Sequence, residues 1–267
     1  MTAERRTALV TGASAGIGRA FAEVFAANGF DLVVTARREE RLHAISETLE
    51  TAYGVRVHVL PGDLAERRTP SLLVDRLARD GIVVDALVNN AGYAVPGSFA
   101  KTDWQRQSDF LQVMVVAVAE LTHLLLPGMI DRRFGRIVNV ASLVGMLPAA
   151  PGHTLYAASK AFMIRFSESL AHEVARHGVH VTAVCPGFTY SEFHDITGTR
   201  ETASRLPSFM WLDAATVARQ GFEAVMAGTP VHVTGRVNRA IAVLGRVLPY
   251  RLVTAVNRRL GKSYRKT

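Results

Sequence analysis

The feature that most constrains this chain is an alternation: runs of four to six residues rich in Val, Leu and Ile recur between longer segments of helical spacing. Ala8 to Thr11, Leu32 to Ala36, Val55 to Leu60, Ala86 to Asn89, Arg136 to Val140 and Val179 to Val184 read as six strands, with Val231 to Thr234 a weaker seventh. These runs are nearly continuous in apolar residues, as expected of strands covered by helices on both faces. Ile17 to Asn28, Arg38 to Tyr53, Thr69 to Arg79, Asp103 to Ile130 and Leu155 to Arg176 carry the helices between them. Strands alternating with helices, joined by right-handed crossovers, predict an α/β fold: a doubly wound parallel sheet. At 267 residues the chain can bury one sizeable core, and it shows no repeat or low-complexity stretch that would argue for a second domain.

Several classes are excluded on composition. The single cysteine, Cys185, rules out an intramolecular disulfide, and no group of Cys, His and acidic residues has metal-ligand spacing, so no metal is expected. The N-terminal residues lack the apolar run of a signal peptide, and no uninterrupted apolar stretch reaches the roughly 18 residues of a membrane span, which predicts a cytoplasmic protein. The net charge is +8, yet residues 236–267 hold nine Lys or Arg and no acidic residue, leaving 22 basic against 23 acidic residues, or −1, in the body. The basic character belongs to that segment alone, so the body offers no phosphate-tracking surface and no nucleic-acid partner is expected.

The glycines supply chemistry. Gly12, Gly16 and Gly18 fall between the first strand and the first helix. There the missing side chains let the turn tighten and a pyrophosphate approach the helix N-terminus, whose unpaired amides and dipole favour an anion. The spacing is G-x-x-x-G-x-G rather than G-x-G-x-x-G. Further on, a phenol and an ammonium, Tyr156 and Lys160, lie four residues apart on one helical face. Reducing a carbonyl needs a proton on oxygen as well as a hydride on carbon. A phenol with an unperturbed pKa near 10 can deliver that proton if a neighbouring cation stabilises its phenolate.

Five motifs now stand in order: Thr11 to Gly18, Asn89-Asn90-Ala91-Gly92, Ser142, Tyr156 with Lys160, and Pro186-Gly187. With them the chain, from Thr7 to about Ser191, resembles the short-chain dehydrogenase/reductase family. The resemblance implies a Rossmann-type sheet binding a nicotinamide cofactor. Gly12, Gly16 and Gly18 would lie at the phosphates, with Ser14 and Ile17 of the same loop among the cofactor contacts. Asn89, Ala91 and Gly92 would lie beside the adenosine, Asp63 and Leu64 at the adenine, and Asn90 would tie the central strands. Lys160 would hold the nicotinamide ribose hydroxyls while Ser142 aligns the substrate oxygen with Tyr156. Pro186, Gly187 and Thr189 or Ser191 would contact the nicotinamide carboxamide. The resemblance also favours a homodimer or homotetramer.

Charge after the second strand argues the cofactor. NAD-preferring relatives place a carboxylate there for the ribose hydroxyls. Here the run is Thr35-Ala36-Arg37-Arg38, with no anion to repel a 2′-phosphate and guanidinium forks to grip it. NADP(H) is therefore expected, although Ala15 stands where many NADP-binding relatives carry a basic residue. A second departure lies in the long helix. Thirteen residues before Pro127 the family usually has an asparagine thought to hold a proton-relaying water, and here stands Met114, with Gln112 or a backbone carbonyl as substitutes.

From Glu192 to Leu212 the chain turns irregular, with Phe193, Leu206, Phe209, Met210 and Trp211, and reads as a lid over an apolar pocket. Residues 1–235 then form the catalytic domain and 236–267 a basic extension. In that extension Val237, Ile241, Leu244 and Leu248 form an apolar stripe, resumed after Pro249 at Leu252, Val256 and Leu260. Two amphipathic basic helices can dock within the fold or an oligomer, cover the pocket, or make peripheral contact with an anionic membrane. Together with the Trp211 region they resemble bacterial ketoacyl and hydroxysteroid reductases, which implies a small hydrophobic ketone, aldehyde or alcohol substrate. The leading expectation is an NADP(H)-dependent oxidoreductase, and its alternative a cofactor-binding regulatory protein without turnover.

Overall fold

A computed structural model describes residues 5–149, 151–152, 154–190 and 210–261. The strands of its main sheet are β1 (Thr7–Thr11), β2 (Asp31–Thr35), β3 (Val57–Val59), β4 (Ala86–Asn89), β5 (Gly135–Val140), β6 (Val179–Cys185) and β9 (Val231–Val233). They pair in the order β3-β2-β1-β4-β5-β6-β9, every neighbour parallel, in register from Thr7 opposite Asp31 at β1–β2 to Cys185 opposite Val233 at β6–β9. This is the Rossmann-type sheet that the sequence predicts, including the seventh strand. Strand order reverses between β1 and β4, which opens a crevice at the carboxyl ends of those two strands.

The helices are α1 (Gly16–Ala27), α2 (Glu39–Tyr53), α3 (Thr69–Arg79), α4 (Trp104–Leu111), α5 (Ala117–Asp131), α6 (Thr154–Val174), α7 (Ala214–Met226), α8 (Arg236–Val247) and α9 (Tyr250–Gly261). They cover the sheet on both sides, and each strand divides its residues between the two faces. Leu9 of β1 packs with Leu73 and Leu77 of α3, Phe110 of α4, Leu121 of α5 and Met163 of α6. Its neighbours Ala8 and Val10 pack on the other side with Phe21 and Phe25 of α1, Leu42 and Leu49 of α2, and Val217 of α7. Side-chain oxygens start two of the helices: Asp103 accepts from the Arg106 amide ahead of α4, and Asp213 accepts from the amide and hydroxyl of Thr216 ahead of α7.

The helix expected over Asp103 to Ile130 is not uniform. Between α4 and α5 one wider π turn spans Gln112–Val116. Gln112, Val113 and Met114 are all buried, three consecutive residues that one α-helical face does not hold, and the wider turn accommodates them. By length and composition Trp104–Asp131 is apolar enough to cross a membrane, but Phe110, Met114, Ala117 and Leu121 fasten it to the core.

Two further strands form a separate parallel pair, β7 (Phe188–Tyr190) with β8 (Trp211–Asp213). The lid expected over 192–212 therefore needs correcting at its end. Trp211 and Leu212 belong to a strand, and Trp211 stacks on Tyr190 with ring centroids 4.6 Å apart, while 192–209 lies outside the described residues. The backbone hydrogen bonds of β7 are what irregular composition conceals. Beyond β9 the two C-terminal helices form as expected, separated at Pro249.

Candidate active site

Because the main strands run parallel, the loops that follow them open on one edge. Gly12 to Gly18 follow β1, Arg37 and Arg38 follow β2, and Asp63 and Leu64 follow β3. Asn89 ends β4 and leads into Ala91 and Gly92; Ser142 follows β5, and Pro186, Gly187 and Thr189 follow β6. Tyr156 and Lys160 reach the same edge on the first turns of α6. Ser191 lies outside the described residues.

The glycine loop is a cradle without side chains. Gly12 has φ +66° and Gly16 φ +56°, the left-handed region that favours glycine. A Cβ on Gly12 would sit 2.8 Å from the Ala91 Cα. One on Gly18 would collide with the Gly12 carbonyl, so Gly18 serves close packing of α1 on β1. No side chain caps α1 and no acidic residue stands in its first turn, leaving amides and the dipole free for an anion. This opening fits the pyrophosphate of a dinucleotide.

Two arginines flank the cradle. Arg38 donates from Nη2 to the Ser14 hydroxyl at 3.0 Å, joining the end of β2 to the glycine loop. Arg37 forms an exposed ion pair with Asp63 at 3.9 Å. Ala36, where a carboxylate would stand for an unphosphorylated ribose, brings no charge.

The asparagine motif divides its work differently from the expectation. Asn89 is buried, and its Nδ2 donates to the Asn139 Oδ1 at 2.9 Å and the Thr122 hydroxyl at 3.2 Å. Its side chain is thus committed to β5 and α5, and only its backbone can meet an adenosine. Asn90 does tie the strands, donating from Nδ2 to the carbonyls of Thr11 and Gly12. Thr11, whose side chain the sequence reading passed over, holds this loop by accepting from the Asn90 and Ala91 amides at 2.9 and 3.0 Å. Its place at the head of the glycine motif was the available signal. Asn139, also missed, continues the network by donating to Ser167 at 2.8 Å, but nothing in the one-dimensional pattern marks an asparagine inside an apolar strand.

At the reacting end Ser142 stands just past β5, caps a short 3₁₀ turn by accepting from the Val144 amide, and directs its hydroxyl toward the Pro186 carbonyl at 3.5 Å. The Leu143 amide donates to the same carbonyl at 2.9 Å, so the serine loop and the Pro186-Gly187 loop are fastened together. Ser142 also shares a hydrogen bond with Tyr156. The ammonium of Lys160 lies 5.7 Å from the Tyr156 ring centroid and donates to the Val140 carbonyl at 2.7 Å.

The acidities of this pair correct the expected direction. Burial pushes the Tyr156 phenol up to about 12, and the Ser142 hydrogen bond only moderates that rise. Burial likewise holds the Lys160 ammonium down at about 7, with the Cys185 thiol pulling the other way. The i, i+4 spacing correctly placed cation and phenol on one face, but desolvation of the buried Lys160 and the half-buried Tyr156 dominates both acidities. Near neutrality the pair is a protonated phenol beside an amine able to gain or lose its proton. Met114 lies fully buried against Gly92, where a Cβ would come within 2.6 Å of its Sδ, and the Gln112 Nε2 on the same π turn has no protein partner.

Beside Tyr156 lie Val95, Phe99, Phe110 and Leu155, with Gln107 and Thr154 as polar neighbours, packed without room for a water molecule. Thr189 is buried and donates to the Gly187 carbonyl at 3.2 Å.

A fold with this sheet order and a serine, tyrosine and lysine gathered at its carboxyl edge defines a nucleotide-dependent oxidoreductase class. Residues 6–201 match the family model for short chain dehydrogenases. Nodulation protein G of Rhizobium sp. (strain N33) is 43% identical over 190 residues, covering 71% of this chain and 76% of its own length. The 3-oxoacyl-(acyl-carrier-protein) reductase FabG of Haemophilus influenzae is 33% identical over 239 residues, 86% of this chain and 97% of its own. A short-chain dehydrogenase from Sphingobium yanoikuyae, solved in complex with NADPH, superposes with a TM-score of 0.80 at 30% identity, over 90% of this chain and 93% of its own. The chain belongs to the short-chain dehydrogenase/reductase family, and it is an oxidoreductase interconverting carbonyl and alcohol groups.

Proposed function

We propose that the protein is an NADP(H)-dependent reductase of a small hydrophobic ketone or aldehyde, or the dehydrogenase of the corresponding alcohol, with Tyr156 as acid and base. The observation that carries this reading is the grouping of Ser142, Tyr156 and Lys160 at the end of the glycine cradle, with Val95, Phe99, Phe110 and Leu155 beside the tyrosine. Gly12, Ser14, Gly16, Ile17 and Gly18 would receive the pyrophosphate and Asp63, Leu64, Ala91 and Gly92 the adenosine. Arg37 and Arg38 would pair with the 2′-phosphate. Pro186, Gly187 and Thr189 would border the nicotinamide, which when bound exchanges a hydride with the substrate carbon.

The residues of the chain manage the oxygen. Ser142 donates its hydroxyl hydrogen to the carbonyl oxygen and orients it toward Tyr156. The phenol, protonated at neutral pH and held more firmly so by burial, delivers the proton. Lys160 then stabilises the resulting phenolate, and its Nζ, poised near neutrality, returns a proton to the tyrosine oxygen. Met114 cannot hold a relay water, so this resupply runs without the family's asparagine. Exposed Val116 and Leu124 along the π turn and α5 support assembly into a homodimer or homotetramer. Residues 1–235 would constitute the catalytic domain and 236–267 a basic extension, which packs on that domain through Asn238, Ala242 and Gly245.

The deciding experiment measures NADPH and NADH oxidation across a panel of apolar ketones and aldehydes. Turnover with a preference for NADPH is expected. Preference for NADH refutes the roles of Arg37 and Arg38, and cofactor binding without turnover on any carbonyl leaves a regulatory protein.

A further inference from the structure

The apolar stripe of the C-terminal extension is not the face by which α8 joins the body. Asn238 and Ala242 are buried, and Gly245 lies so close to Leu147 that a Cβ would overlap its side chain. Of the stripe, Ile241 is half-buried beside that contact, while Leu244 is 54% exposed and Val237 and Leu248 are also in solvent. Val243, Val247 at 76%, Tyr250 at 71% and Leu252 extend the open surface across Pro249 into α9. A folded chain seldom leaves such a run in water without a use for it.

Charge selects what covers it. Arg239, Arg246 and Arg251 are interleaved with these residues and are exposed, and 236–267 carries nine cations without one carboxylate. Two copies of the segment meeting face to face would set cation against cation. A surface offering both hydrocarbon and negative charge satisfies both halves of the helix, and a tyrosine at the edge suits the headgroup layer. We propose that α8 and α9 are an interfacial anchor that seats the enzyme on an anionic lipid bilayer.

The anchor is coupled to the site by contact. Asn238 packs on Gly187 so closely that a Cβ there would overlap its amide, and Gly245 meets Leu147 at the end of the turn that begins at Ser142. A bilayer on the open face therefore lies across α8 from the loops bearing the serine and Pro186-Gly187. A lipophilic carbonyl dissolved in it would be concentrated within one helix of those loops. That last consequence rests on the proposed function, whereas docking does not.

The test uses the full chain with phosphatidylglycerol-containing vesicles and with pure phosphatidylcholine vesicles. Co-sedimentation with the anionic vesicles alone is expected, weakened by salt. An arginine at an anionic surface contributes about fivefold to partitioning, so R239Q/R246Q/R251Q should lose on the order of 100-fold. V243S/L244S/V247S should lose on the order of 1,000-fold if all three side chains enter the bilayer, since each buried apolar side chain is worth about tenfold or more. Both variants lie on the solvent face and should keep wild-type melting temperature and turnover of a soluble ketone. The proposal is overturned if wild type ignores both vesicles, or if the serine variant binds as tightly as wild type. It is equally overturned if the wild type retains polyglutamate but no vesicle, which assigns the face to an acidic protein, or if the serine variant merely dissolves an oligomer in light scattering. Vesicle binding without carbonyl turnover would sink the proposed function and leave the anchor standing.

Discussion

Replacing Lys160 by methionine should make the ligand-free protein more stable while removing its activity. Lys160 is 5% exposed, and burial lowers the pKa of its ammonium from 10.5 to about 7. The unfolded chain restores the full proton affinity, so the folded state loses stability wherever the unfolded lysine binds protons that the folded one does not. With about 1.4 kcal/mol per unit, the cost is about 5 kcal/mol well below pH 7 and about 4 kcal/mol at pH 7, and it shrinks to about 2 kcal/mol at pH 9. The sign follows: this group makes wild-type stability rise with pH between about 7 and 10.5. Methionine has similar length and no charge, but it forfeits the 2.7 Å hydrogen bond to the Val140 carbonyl, a loss of about 1–3 kcal/mol. The net gain at pH 7 is about 2 kcal/mol. Over 267 residues, at about 2.1 cal/mol/K each, that raises the melting temperature by roughly 4 °C. Thermal unfolding followed at pH 7 and pH 9 without cofactor checks this, and by pH 9 the advantage should have nearly disappeared. A Lys160→Met protein that melts lower than wild type at pH 7, or whose advantage is the same at both pH values, refutes the desolvation argument.

Other substitutions test neighbouring parts. Tyr156→Phe should cut kcat by about 10²–10⁴ while fluorescence titration shows NADPH binding intact, and appreciable residual turnover would remove Tyr156 as the proton donor. Arg38→Ala, which breaks the 3.0 Å link to Ser14, should raise the KM for NADPH severalfold and leave that for NADH nearly unchanged, as steady-state kinetics with both cofactors would show. Gly92→Ala should cost about 1–3 kcal/mol in denaturant unfolding because its Cβ meets the Met114 sulfur at 2.6 Å. Combined with Met114→Ala, which opens that space, the pair should cost less than the sum of the single changes.

The pattern of Val, Leu and Ile runs was enough to locate the strands of the main sheet, because a strand buried on both faces must be apolar along its whole length. Local patterns were less informative where contacts came from far along the chain. The Gln112–Val116 π turn answers the burial of three successive side chains, and the Trp211–Asp213 strand exists only because Phe188–Tyr190 lies beside it. The sequence did not show that the Asn89 side chain is committed to Asn139, fifty residues away, which accepts its amide proton and leaves only the backbone for a cofactor.

The sequence by itself determined the glycine turn, the phenol and amine on one helical face, and the excess of cations in the last segment, since each depends on residue type and short-range spacing. Tertiary structure alone decided what those groups experience. Parallel strands carry Gly12, Ser142 and Pro186 to a common edge. Desolvation drives the half-buried Tyr156 and the buried Lys160 toward their neutral forms. The packing of Asn238, Ala242 and Gly245 leaves the apolar stripe of α8 facing outward. Desolvation and facing depend on which distant atoms exclude water, and spacing along a chain carries no record of those atoms.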